Sequence, residues 1–161
     1  MGHLGLWRIV ERCAGADMRP YRRTSHTRHD LKVHLIWVTK YRYAVMNAQI
    51  GERIRELIRQ YCDANDIQII KGRVSKDHIH LYLSYPPKFS VSDLVRRLKG
   101  RTSKKIQEEF PQLGRTYWGR HFWAIGYGAF SAGHVSDEMI QHYLDHHEQR
   151  PDGDEDFVVE E

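Results

Sequence analysis

The sequence predicts an α+β fold: an antiparallel sheet with helices packed mainly on one face, close to the ferredoxin-like or RRM-like type, closed by a C-terminal helix. Three observations predict it. Short β-branched and aromatic runs alternate with helix-period segments in the order β-α-β-β-α-(α)-β-α. Two of the runs are joined only by the tight turn Ser75-Lys76-Asp77, which makes them antiparallel neighbours. The chain has 161 residues, of which 40% are hydrophobic, enough for one domain with a packed core.

Each element has its own justification. Leu31–Tyr41 is rich in β-branched and aromatic residues and predicts the first strand. Between Ile50 and Cys62, the residues Ile50, Ile54, Leu57, Ile58 and Tyr61 recur at helical spacing with charges between them. Asp66–Val74 predicts the second strand and His78–Tyr85 the third, which Pro86-Pro87 stops. Ser90 or Ser92 caps a helix expected to run to Lys99, with Gly100 as its breaker, and a short helix follows from Ser103 to Phe110 before Pro111. Tyr117–Phe130, dense in aromatics and glycine, predicts a final strand or bent hairpin. Ser136 then caps a last helix, Asp137–Glu148, with two acids in its first turn at the positive end of the dipole.

At the ends, residues 1–17 precede a natural-looking start at Met18 and are expected to be an extension without a fold of its own. Residues 151–161 are expected to be an acidic disordered tail, leaving 18–150 as a single domain. The longest apolar-rich run, Val33–Val38, is too short to span a bilayer, and the two cysteines, Cys13 and Cys62, give no disulfide framework. The N-terminus lacks the apolar core of a signal peptide, so a cytoplasmic setting without membrane association is the expectation.

Charge points to a partner. The chain carries 25 Lys and Arg against 21 Asp and Glu, a net +4. Six of those acids lie after Pro151, so residues 1–150 hold 25 bases against 15 acids, a net +10. Such a basic body suits a polyanion, nucleic acid first. The densest block is Arg96, Arg97, Lys99, Arg101, Lys104 and Lys105, with no acid between Leu94 and Gln107. It suits phosphate contact, although a solvated helix face is the plainer alternative.

The sharpest chemical feature is His78-Ile79-His80. Side chains alternate along a strand, so His78, His80, Tyr82 and Ser84 share one face while Ile79, Leu81, Leu83 and Tyr85 point to the other, toward the core. Two imidazoles at i and i+2 stand about 7 Å apart along a strand, near enough to share one metal. Two surface histidines on a solvated face are the alternative. The last helix adds His142, Tyr143, His146 and His147. Tyr143 and His147 share one face, and His142 with His146 forms another i, i+4 pair that could bind zinc. Strand and helix together could form a three-ligand site beside a nucleophile.

These residues resemble a family. Tyr21-Arg22-Arg23 and the run from His29 through Lys40-Tyr41-Arg42 look like the opening of the single-tyrosine insertion-sequence transposases. Lys76-Asp77-His78-Ile79-His80-Leu81 resembles their His-hydrophobic-His motif, the signature of the HUH endonuclease superfamily. Pro86-Pro87-Lys88, Leu98-Lys99-Gly100 with Ser103, Tyr117-Trp118-Gly119 through Gly126, and Tyr143-Leu144 are similar to the later blocks, so the resemblance covers about residues 18 to 148.

The resemblance implies a metal-dependent transposase that cleaves and rejoins single-stranded, hairpin-bearing element ends, working as a homodimer with an active site shared between chains. It implies that Tyr143 attacks the scissile phosphate to form a 5′-phosphotyrosine and that His78 and His80 hold Mg²⁺ or Mn²⁺. The third ligand of the family, a glutamine one turn after the tyrosine, corresponds here to His147, a departure toward a softer donor. Lys40 and Arg42 join the basic block as expected DNA contacts. A non-catalytic hairpin-binding protein of the same fold is the alternative.

Overall fold

A computed structural model describes residues 22–23, 26–117, 121–131, 142–143 and 145. The expected extension at 1–17, the tail at 151–161, the start of the last helix at Ser136, and His146 and His147 lie outside the described residues. The chain divides into two units, 1–30 and 31–161. In the first, β1 (Arg22–Arg23) pairs antiparallel with β2 (Arg28–His29), a two-residue ribbon the sequence did not announce.

The second unit is built on β3 (Lys32–Val38), β4 (Gln68–Val74), β5 (His78–Ser84) and β6 (Gly128–Ser131). Hydrogen bonding orders them β4-β5-β3-β6, with every described pairing antiparallel. With helix α1 (Ala48–Ala64) between β3 and β4 and helix α2 (Val91–Glu109) between β5 and β6, this is the β-α-β-β-α-β arrangement expected of a ferredoxin-like sheet. Asn47 caps α1 by accepting from the Ile50 amide at 2.9 Å, and Ser90 caps α2 by accepting from the Asp93 amide at 3.1 Å.

One sheet face carries the main core. Val33, Leu35 and Trp37 of β3 and Ile79, Leu81 and Leu83 of β5 meet Ile50, Ile54, Leu57 and Ile58 of α1 and Leu94, Val95, Leu98 and Ile106 of α2. The alternation expected for β5 is therefore borne out, with His78, His80 and Tyr82 half-buried on the opposite face.

Four features differ from expectation. The first strand ends at Val38 and gives way to a 3₁₀ turn, Lys40–Arg42. Gly100 does not break the helix: α2 runs unbroken through it, because Leu98, Thr102 and Ile106 continue the buried stripe and packing outweighs the roughly 1 kcal/mol helix cost of a glycine. A short helix, α3 (Leu113–Thr116), follows Pro111. The expected strand from Tyr117 to Phe130 is, over its described part, an extended segment with a single bridge from Trp123 to Thr39. A turn at Gly126 (φ +88°) leads from it into β6.

Candidate active site

The second sheet face carries the candidate chemistry. Register pairs His34 of β3 with Tyr82, Ile36 with His80, and Val38 with His78. Tyr143, helical together with His142 and Asp145, packs on Ile36 and Val38, with Ala124 and Phe130 alongside. The expected nucleophile therefore stands on the two β3 residues that pair with the two motif histidines. Strand and helix features 63 positions apart by number, His80 and Tyr143, meet on one face.

Tyr143 is almost fully enclosed, at 8% exposure. Burial raises its phenol above the ordinary value of 10, and a hydrogen bond to the Gly128 backbone pulls the other way. The phenol is thus held in its protonated form at neutral pH.

The two histidines are held differently. His78 donates its Nδ1 proton to Asp77 Oδ1 at 2.8 Å, which fixes the tautomer and leaves the Nε2 lone pair for a ligand. Asp77 Oδ2 accepts from the Arg42 guanidinium at 2.8 Å. The His78 and Arg42 hydrogen bonds, outweighing its burial, hold the Asp77 carboxyl below its ordinary value. His80 Nε2 lies 3.2 Å from His34 Nδ1, so one of those nitrogens carries the shared proton. The His34 ring stacks on Tyr82 at 4.0 Å between centroids. Burial, with Lys71 nearby, lowers the His34 pKa and favours neutral imidazole.

This donor set fits a divalent ion: a carboxylate-oriented imidazole beside a second imidazole is a common metal-binding arrangement. Among the described residues no group of three or more His, Cys, Asp or Glu side chains converges on one point. A third ligand therefore has to come from elsewhere, and His147, the position expected, is outside the described residues.

The basic residues fall into distinct places. Arg96, Arg97, Arg101, Lys104 and Lys105 are exposed along α2. Arg97, Arg101 and Lys104, at i, i+4 and i+7, share one stripe. Arg96 pairs with Asp93 at 2.7 Å and Lys105 with Glu108 at 3.4 Å. Lys99 points elsewhere: its ammonium donates to the carbonyls of Ala124 and Gly126 at 2.7 and 2.8 Å, clasping the turn before β6. Arg42 is engaged by Asp77, and Lys40 stands over the Tyr41 ring, 5.0 Å from its centroid. Because α2 covers the core face, its basic stripe and the histidine face lie on opposite sides of the sheet.

Sequence reasoning missed Asp77 and His34. Asp77 was legible as the acid preceding the motif, whereas His34 needed the register of two strands 46 residues apart.

Beside this geometry stands a similarity that covers about three quarters of the chain. The family described as Transposase IS200 like matches residues 27–147, a span that contains His78, His80, Tyr143, His147 and all the expected basic contacts. The chain belongs to the IS200-like transposase family. It is 30% identical over 117 residues to the ISDra2 transposase TnpA of Deinococcus radiodurans, covering 73% of this chain and 84% of that one. The transposase for insertion sequence element IS200 of Salmonella typhimurium is 33% identical over 122 residues, 76% of this chain and 80% of the relative. A crystal structure from Deinococcus radiodurans R1 superposes with a TM-score of 0.72 at 26% identity, covering 78% of this transposase and 96% of that chain. Among its described residues, no helix is long and apolar enough to cross a membrane.

Proposed function

We propose that this transposase cleaves and rejoins single-stranded DNA at hairpin-bearing element ends through a covalent phosphotyrosine on Tyr143. The observation that carries the reading is the placement of Tyr143 on Ile36 and Val38, the β3 partners of His80 and His78. Nucleophile and ligand pair share one sheet face.

Attack by Tyr143 Oη forms a bond to the scissile phosphorus, which stays on the 5′ end of the downstream strand, while the P–O3′ bond opens and the phenol proton ends on the leaving 3′ oxygen. One phosphodiester replaces another, so a later 3′-hydroxyl can reverse the step without ATP. His78 and His80, with His147 as the third donor, would hold Mg²⁺ or Mn²⁺, whose positive charge offsets charge building on the phosphate oxygens. Asp77 keeps the His78 lone pair aimed outward, and the apolar floor of Ile36 and Val38 fixes the height of the phenol. The exposed cations of α2 supply phosphate contacts to the hairpin stem.

The test is incubation with labelled single-stranded hairpin DNA and Mg²⁺ or Mn²⁺, followed by a denaturing gel. A protein–DNA adduct that requires the ion is expected; tight binding without adduct would favour the non-catalytic reading instead. Mixing Tyr143→Phe and His80→Ala chains separates a site completed within one chain, as the placement of Tyr143 here favours, from one shared by a homodimer. Activity regained by the mixture assigns the tyrosine to a second copy, and none regained keeps it in the same chain.

A further inference from the structure

We propose that Tyr41 and Tyr43 form a stacking platform for a base of the single-stranded DNA where it approaches His78. The proposal rests on the reading of His78, His80 and Tyr143 as a DNA-cleaving site, and adds a binding subsite to it.

Two large rings are exposed here on a backbone that is costly to hold. Tyr41 is 56% exposed and Tyr43 45%. Tyr41 lies at φ +58°, ψ +16°, and Arg42 at φ +51°, consecutive left-handed residues that both carry a Cβ. Glycine would adopt this conformation without the steric cost. Burial of the Tyr41 side chain does not offset the strain, since more than half of it faces solvent. Strain of this kind persists where surrounding bonds over-determine it.

Those bonds are present. Thr39 Oγ1 donates to the Tyr43 carbonyl at 2.8 Å, and the Arg42 amide donates to the Thr39 carbonyl at 2.9 Å. The Lys40 amide donates to the Phe122 carbonyl at 3.0 Å and the Thr39 amide to the Asp77 carbonyl at 2.9 Å. Behind the surface, rings stand in series: Tyr41 on Tyr43 at 5.4 Å, Tyr43 on Tyr117 at 5.9 Å, Tyr117 on Phe122 at 5.6 Å. Tyr117 and Phe122 belong to the main core. The exposed rings are therefore presented rigidly, which limits the ordering cost of binding.

The location selects the ligand. Arg42, next to Tyr41, holds one oxygen of Asp77, and the other oxygen holds His78. The platform is thus one carboxylate away from the motif histidine. It also joins the two sides of the sheet, since Val38 pairs with His78 on the histidine face while Tyr43 leans on the core-side Tyr117. Lys40, above the Tyr41 ring, supplies a cation that a phosphate can share. Exposed aromatics beside a cation, at the edge of a phosphate-cleaving site, suit an unpaired base: its face is open, whereas duplex bases are stacked on one another.

The experiment compares the wild type with Tyr41→Phe, Tyr41→Ala, Tyr41→Gly, Tyr43→Ala and Lys40→Met, using oligothymidylate and the same strand made abasic. Tyr41→Ala and Tyr41→Gly should each weaken oligothymidylate binding about 5- to 150-fold, the range of a lost base–aromatic stack, while Tyr41→Phe keeps wild-type affinity. Neither should alter affinity for the abasic strand or the salt slope, whereas Lys40→Met should lower that slope by about 0.7. Thermal melting guards against misfolding: Tyr41→Gly relieves the backbone and should melt no lower than the wild type. The proposal is overturned if the alanine and glycine variants bind oligothymidylate like the wild type, or lose the same factor on the abasic strand. Covalent-adduct formation by the wild type on hairpin DNA is scored separately. An adduct without base-dependent stacking removes the platform alone; stacking without an adduct removes the cleavage reading and leaves the platform as a binding site.

Discussion

The ring of Tyr143 lies directly on the backbone of Gly128: a Cβ added at that glycine would meet ring carbons Cδ2 and Cε2 at 3.3 Å, and Cε2 of Phe130 at 3.0 Å. Gly128 opens β6 and pairs with Ile36, which itself lies under Tyr143. The register of an edge strand thereby sets how deeply the phenol sits over the histidine face.

Gly128→Ala is therefore expected to push Tyr143 and Phe130 apart. Overpacking of this kind costs about 1–3 kcal/mol. Denaturant unfolding measures that loss, and single-turnover adduct formation should slow as the phenol oxygen is displaced. An alanine variant that unfolds and reacts like the wild type would show that the ring has room to move.

Asp77→Asn removes the carboxylate charge and leaves a single amide oxygen for both the His78 Nδ1 proton and the Arg42 guanidinium, which share two carboxylate oxygens in the wild type. Loss of such an outer carboxylate typically weakens metal affinity about 10- to 100-fold, and a Mn²⁺ titration should show it. Arg42→Met leaves the Asp77–His78 bond in place and should have the smaller effect. Equal affinities in the wild type and Asp77→Asn would mean that His78 is oriented by something else.

Lys99 yields a pH prediction. Burial pushes its ammonium down to about 8 from the ordinary 10.5. Below about 8 both folded and unfolded chains hold the proton, and the folded chain bears the desolvation cost. Between about 8 and 10.5 the folded chain releases it first, so the unfolded chain binds more protons and stability rises with pH. The melting temperature of the wild type, relative to Lys99→Met, should climb across that window. Parallel curves would show that the two carbonyls hold Lys99 charged throughout.

How much of this was legible depended on the range over which each feature is determined. The alternation of His78, His80 and Tyr82 against Ile79, Leu81 and Leu83 is local, and the strand carries it as expected. Ser90 as a cap is equally local. A glycine weighs against a helix by propensity, a local signal that predicts a break at Gly100 where the helix in fact continues. The buried stripe through Leu98, Thr102 and Ile106, with Thr102 Oγ1 donating to the Leu98 carbonyl and accepting from Trp123 Nε1, is tertiary. Lys99 looked like its basic neighbours until the turn at Ala124–Gly126 was placed beside it. The pairing of His34 with His80 needed strand register, and the left-handed backbone at Tyr41 and Arg42 has no signal in residue type.

The basic stripe of α2 is tested apart from Lys99. Replacing Arg97, Arg101 and Lys104 together with glutamine should weaken binding to different single-stranded hairpins by similar factors. If all three meet phosphate, the log–log salt slope should fall by roughly 2, at about 0.7 per contact. An unchanged slope would assign the stripe to solvent and place the DNA path on the histidine side of the sheet.

The central claim, that Tyr143 is the nucleophile of a site shared with His78 and His80, is tested most directly by mapping the covalent adduct. Transposase incubated with hairpin DNA and Mn²⁺ is digested with protease and nuclease, and the peptide that carries a residual nucleotide is sequenced by mass spectrometry. The account predicts the nucleotide on Tyr143, and no adduct in Tyr143→Phe or His80→Ala. A nucleotide on Tyr82, Tyr117 or Tyr127, or an undiminished adduct in Tyr143→Phe, would contradict it.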